Sequence, residues 1–182
     1  MYRCGCGRWL LTALGVLLLG LASGCGLVGG SATFQPDIIT VASPALGHGA
    51  IPVRYTCRGA GVSPPLHWSG APEGTKSLAL VMDDAATPIT PYIYWMVFDI
   101  NPATTDIQEG QLPPGARQAQ NSAGHAAYQS PCPQNRGHSY RFTVYALRSV
   151  LSLPDGVSLK PAWTAIARSA IARGRLTATV VP

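Results

Sequence analysis

Apolar residues follow three different spacings along this chain. The first is a continuous run over residues 9–22, preceded by Arg3 and Arg8 and closed by Leu21-Ala22-Ser23-Gly24-Cys25. The second is a set of short apolar or alternating runs at 77–82, 92–100, 139–147 and 175–181, with a weaker one at 50–56, separated by Pro, Gly and Asn clusters. Such runs between turn residues predict strands, and the unbroken apolar stretch 77–82 predicts one covered on both faces. The third spacing is helical. After Pro161, which suits a first helical turn, Trp163, Ile166, Ala170 and Ile171 recur with Arg168 and Arg173 near the end, predicting a short helix over 161–172. The fold class is therefore mainly β with a short helix late in the chain, and no internal repeat is present.

The leading run is shorter than the roughly 20 residues that span a bilayer as a helix. A basic start, an apolar core and small residues before the end are the marks of an export signal. With the small residues set directly before Cys25, the segment resembles a bacterial lipoprotein signal, in which that cysteine is acylated and becomes the new N-terminus. An ordinary cleaved signal and a retained anchor are the alternatives. Three parts follow: a signal over 1–24, a lipidated N-terminus and linker over 25–33, and a folded domain over 34–182. Residues 26–33 are small, and at about 3.3–3.6 Å per residue they hold the domain within about 30 Å of the lipid. Two acyl chains, at about 0.8 kcal/mol per buried methylene, give stable attachment. The expected location is the cell envelope, outside the cytoplasm. Gly26 stands where an aspartate would favour inner-membrane retention in enteric lipoproteins, and the choice of membrane stays open.

Removal of residues 1–24 leaves 158 of the 182, enough for one domain with a real core. The formal charge falls from +5 to +3 with the loss of Arg3 and Arg8, and the remaining basic residues are dispersed from Arg54 to Arg175. A nucleic-acid surface needs a basic stripe with interleaved aromatics, so no nucleic-acid partner is expected. Of five cysteines, Cys57 and Cys132 alone stay in the folded part. Outside the cytoplasm such a pair either bonds or remains as two thiols, and the sequence leaves both open. Two cysteines without C-x-x-C spacing do not make a zinc site, and no metal or cofactor is expected. Trp68, Trp95 and Trp163 are expected in the core or in a pocket wall, and Arg168, Arg173 and Arg175 as helix-end and surface charge.

The unusual polar residues gather in three segments at predicted strand ends: Asp83-Asp84-Ala85-Ala86-Thr87-Pro88, Tyr92-Ile93-Tyr94-Trp95, and Ser130-Pro131-Cys132-Pro133 with Gly137-His138-Ser139-Tyr140. Loops on a rigid scaffold are where binding groups concentrate. An aspartate beside a histidine can orient the imidazole and form a small pocket that attracts an anion. Equally, Asp84 can cap a turn and His138 cover a strand end. Spacing alone decides neither.

Taken with Tyr55-Thr56-Cys57-Arg58-Gly59, Ser63-Pro64-Pro65-Leu66-His67-Trp68 and Pro72-Glu73-Gly74-Thr75-Lys76-Ser77, these segments resemble in order the phosphatidylethanolamine-binding protein family, above all its bacterial Raf-kinase-inhibitor-like branch. The resemblance runs from about Phe34 to Val181. It implies a β-sandwich with a small pocket for phosphate or a phosphorylated head group. The family's D-P-D-A-P loop falls on residues 84–88, which places Asp84 and Pro88 at the pocket; Pro131, His138 and Tyr140 match the other elements. Two departures matter. Tyr94 stands where the family has its second pocket histidine, and a phenol cannot become cationic, so weaker anion affinity or a different ligand is expected. Ala85 and Ala86 replace a proline and the second aspartate. His48 and His125 match no pocket element.

The expected function is a membrane-tethered, non-enzymatic protein that binds a small anion at Asp84, Pro88, Tyr94, Pro131, His138 and Tyr140. The alternative is a protein-interaction or inhibitor module, directed at a kinase or hydrolase, in which the loops around a degenerate pocket meet a protein partner. Hydrolysis is disfavoured because no G-x-S-x-G elbow or H-E-x-x-H metal signature is present.

Overall fold

The computed structural model describes residues 36–85, 91–132 and 137–180, all within the unit Phe34–Pro182. The segments expected to be signal and linker, with Cys25, and Pro88 lie outside the described residues. Strands β1 (Thr40–Ala42), β2 (Leu66–Ser69), β3 (Ser77–Asp84), β4 (Ile93–Ile100), β5 (Asp106–Ile107), β6 (Arg117–Gln118), β7 (His138–Leu147) and β8 (Ala170–Val180) form two antiparallel sheets. One has the order β1-β2-β5 and the other β6-β4-β3-β7-β8. Helix α1 (Leu159–Ser169) precedes β8, so the molecule is mainly β with a helix near its C-terminus.

Both faces of the larger sheet are covered, which is why its central strand reads as continuously apolar. Every residue of β3 is buried. Leu78, Leu80 and Met82 face one way into a core with Leu66, Trp68, Phe142 and Val144, drawn from both sheets. Ala79 and Val81 face the other way and pack with Ala162 and Ile166 of α1 and with Phe98 and Tyr145. Alternation on a strand sends successive side chains to opposite faces, and here each face meets a separate apolar cluster.

The outer edge of β8 is occupied by the chain's first described residues. The amides of Ile38 and Ile39 donate to the Arg173 carbonyl at 3.0 and 3.1 Å, the Arg173 amide donates to Pro36, and the Ile51 amide donates to Thr179 at 2.9 Å. Approach is so close that a Cβ on Gly174 would lie 1.8 Å from the Ile39 carbonyl oxygen. Glycine is used there for space, in a backbone conformation other residues also adopt.

Two expectations are corrected. Residues 50–56 are not a strand: Ala50 makes a single bridge to Thr179, and Val53–Tyr55 closes a 3-10 turn with the Tyr55 amide on the Pro52 carbonyl. The helix stops at Ser169, because Ala170 pairs with Leu147 and opens β8. The tryptophans divide between the two expected places: Trp68 and Trp95 are buried in the core, and Trp163, 41% exposed on α1, lines the wall of a surface groove.

Candidate functional site

Strand register builds the site. Asp84 ends β3 directly opposite Tyr140 of β7, and His138 lies two residues before Tyr140 on the same face. The Asp84 carboxylate, almost wholly buried, lies 3.0 Å from His138 Nδ1, while the His138 side chain remains 39% exposed. The histidine ring stacks at 6.4 Å from that of Tyr140, which forms a buried floor. Asp83, the neighbouring acid, points to the other face and pairs with Arg141, so only one of the two adjacent aspartates serves this site.

Tyr94 arrives by a β-bulge. Met82 pairs with Trp95 and Asp83 with Ile93, leaving Tyr94 as the extra residue. A bulge re-aims a side chain, and this one sets Tyr94 edge-on to Tyr140 with centroids 5.1 Å apart and their hydroxyls hydrogen-bonded. The ring of Tyr92 is 4.9 Å from that of Tyr94, and its hydroxyl donates to Gln129. The Gln129 amide in turn donates to the Tyr94 carbonyl at 3.0 Å. Two residues on, buried Pro131 accepts from the Cys57 amide at 3.1 Å, and Cys57 and Cys132 are joined in a disulfide with Cα atoms 5.3 Å apart. Thus Asp84, Tyr94, His138 and Tyr140 come together, and Pro131 sits in the segment clamped beside them. His48 and His125 are exposed in turns. Gln129 was missed from sequence; the Tyr92, Tyr94 spacing was the available signal, but its partner is far along the chain.

With Nδ1 committed to Asp84, Nε2 of His138 is left for a ligand, and it donates to an anion only when the ring carries its second proton. The phenols stay neutral. Burial holds the Tyr140 hydroxyl well above the ordinary phenol range, with the neighbouring Tyr94 and Asp84 adding to the effect. Burial raises Tyr94 too, partly opposed by its hydrogen bond to Tyr140. A phenol whose folded value is raised keeps its proton when the unfolded chain loses it, so stability is intact below the ordinary value of 10.0 and falls above it. Melting curves from neutral to strongly alkaline pH should show a midpoint that declines beyond that value, and Tyr140→Phe should shallow the decline; parallel curves for parent and variant would contradict this.

The family model for phosphatidylethanolamine-binding protein matches residues 42–181, which hold every element of this site. The chain belongs to the phosphatidylethanolamine-binding protein family. The Mycobacterium tuberculosis protein named "Putative lipoprotein LppC" is 37% identical, over 94% of this chain and 96% of its own. Among solved structures of the family, the Chlamydia trachomatis homolog CT736 superposes with a TM-score of 0.73 at 34% identity, covering 80% of this chain and 99% of that one. Escherichia coli YbcL, described as a member of the mammalian family, gives the same TM-score at 26% identity. The family and the β fold expected from the collinear motifs are therefore both shown.

Proposed function

We propose that this family member is a non-enzymatic binding protein, tethered by lipid at Cys25, whose pocket holds a small anion or phosphorylated head group. The observation that carries the reading is the Asp84–His138 pair at 3.0 Å, with the carboxylate buried and the imidazole partly exposed above Tyr140. A buried carboxylate bonded to Nδ1 orients the ring, and the exposed edge meets the ligand. Tyr94 supplies a hydroxyl in place of a second imidazole. A binding role, as against catalysis, is supported by the serine next to His138 in the chain: Ser139 alternates to the opposite face of β7 and is paired with Thr179 at 3.0 Å. Tethering is supported by the small residues before Cys25 and by a relative of matching length with lipoprotein in its name.

Calorimetric titration of the full chain with phosphate and with phosphoethanolamine tests the reading. His138→Ala should weaken binding about tenfold or more, the worth of one hydrogen bond to a charged group. Tyr94→His, which adds a second group able to carry charge, should tighten it. No binding by the parent, gained only in Tyr94→His, would refute a working anion pocket and leave protein recognition as the role of the surrounding loops.

A further inference from the structure

A groove of about 440 Å³ opens on the outer face of the larger sheet, away from the Asp84–His138 pair. Register explains what lines it. Val81, Thr143 and Arg175 lie abreast across β3, β7 and β8, and Asp83 and Arg141 lie abreast one row further along. The first turns of α1 form the facing wall with Leu159, Lys160 and Trp163. Trp163, 41% exposed, meets Tyr145 edge-on at 6.1 Å, so the groove has an aromatic side as well as an aliphatic floor of Val81 and Ile93.

Charge separates this groove from a merely apolar crevice. Arg141 is matched by Asp83 and Arg173 by Asp37. Lys160 and Arg175 form no ion pair among the described residues, which leaves the rim positive. A concave, mostly apolar site with a few placed polar groups is the usual form of a small-molecule pocket. Inorganic phosphate would gain nothing from Trp163 and Ile93, and an uncharged hydrocarbon would leave Lys160 and Arg175, the latter bonded to the neutral Tyr145 hydroxyl, without a salt-bridge partner among the described residues.

We propose that this groove is a second ligand site, which takes a small amphipathic anion: a carboxylate on a medium-length hydrophobic chain, its acid group at Lys160 and Arg175 and its chain on Trp163, Tyr145 and Ile93. It is independent of the His138 pocket, because the two sites use opposite faces of the same strands.

The test uses octanoate as probe and the full chain in neutral phosphatidylcholine nanodiscs, with the heat and fluorescence of empty nanodiscs subtracted. Octanoate should bind saturably and shift tryptophan emission, and Trp163→Phe should remove most of that shift. Octan-1-ol and acetate, each lacking half of the recognised chemistry, should bind at least about tenfold more weakly, and the double variant Lys160→Gln, Arg175→Gln should weaken octanoate by a similar factor. Both residues are exposed, so the double variant should melt like the parent. His138→Ala should leave octanoate binding unchanged, which separates failure here from failure of the anion pocket. Absence of saturable binding, equal affinity for octanol, or affinity that survives the double variant would overturn the proposal.

Discussion

Gly174→Ala is expected to cost about 4 kcal/mol of stability and to lower the melting midpoint by about 10 °C. A Cβ there would lie 1.8 Å from the Ile39 carbonyl oxygen and 2.5 Å from its carbon, far inside contact distance. Relief cannot come from rotating a side chain, because the obstacle is backbone, and that backbone is held by the Ile38 and Ile39 amides on the Arg173 carbonyl. Overpacking strain of about 1–3 kcal/mol therefore adds to two displaced hydrogen bonds worth about 1 kcal/mol each. Gly47→Ala is the control: a Cβ at Gly47 meets nothing within 4 Å, and its effect should stay within about 0.5 kcal/mol. Urea and thermal melts of the two variants compare them directly, and coincident curves would contradict the close approach of β8 to the first segment.

Loss of the Cys57–Cys132 disulfide should have an effect of the same order. The bridge closes a loop with a sequence separation of 75, for which the chain-entropy account gives about 4 kcal/mol through restriction of the unfolded chain. Strands β2 to β6 and the bulge at Tyr94 lie wholly inside that loop. The double variant Cys57→Ser, Cys132→Ser should melt about 10 °C below the oxidised parent, and the parent in reductant should behave like the variant. Removal of both thiols avoids mispaired products. If oxidised and reduced proteins melt together, the bridge contributes nothing to folding and its part is confined to holding the Pro131 segment in place.

The strands most legible in the sequence were those with the densest apolar runs. Residues 77–82 read as a strand covered twice, and β3 is buried at every position between two clusters. The short strands of the smaller sheet were missed because two to four residues carry little periodicity, although Leu66 and Trp68 buried between exposed His67 and Ser69 show the alternation. At the helix end, Ala170, Ile171 and Ala172 suit either state by local preference; pairing with β7 decides for strand. At 50–56 a chain reversal through Pro52 replaced extension. In the site, the collinear motifs pointed to Asp84, His138 and Tyr140, and register brings these together. The motifs could not show that Tyr94 is a bulged residue, because a bulge depends on how two strands pair.

The cover on β8 has a consequence for how copies of this chain behave near one another. At eleven residues, β8 is the longest strand among the described residues and stands at the edge of its sheet. An uncovered edge of that length is a template on which another chain can add as a further strand and start aggregation. The short parallel bridges at Asp37 and Ala50, on Arg173 and Thr179, block that template at both ends of the strand. Where copies crowd on a common surface, loosening residues 36–51 from β8 would expose a sticky edge.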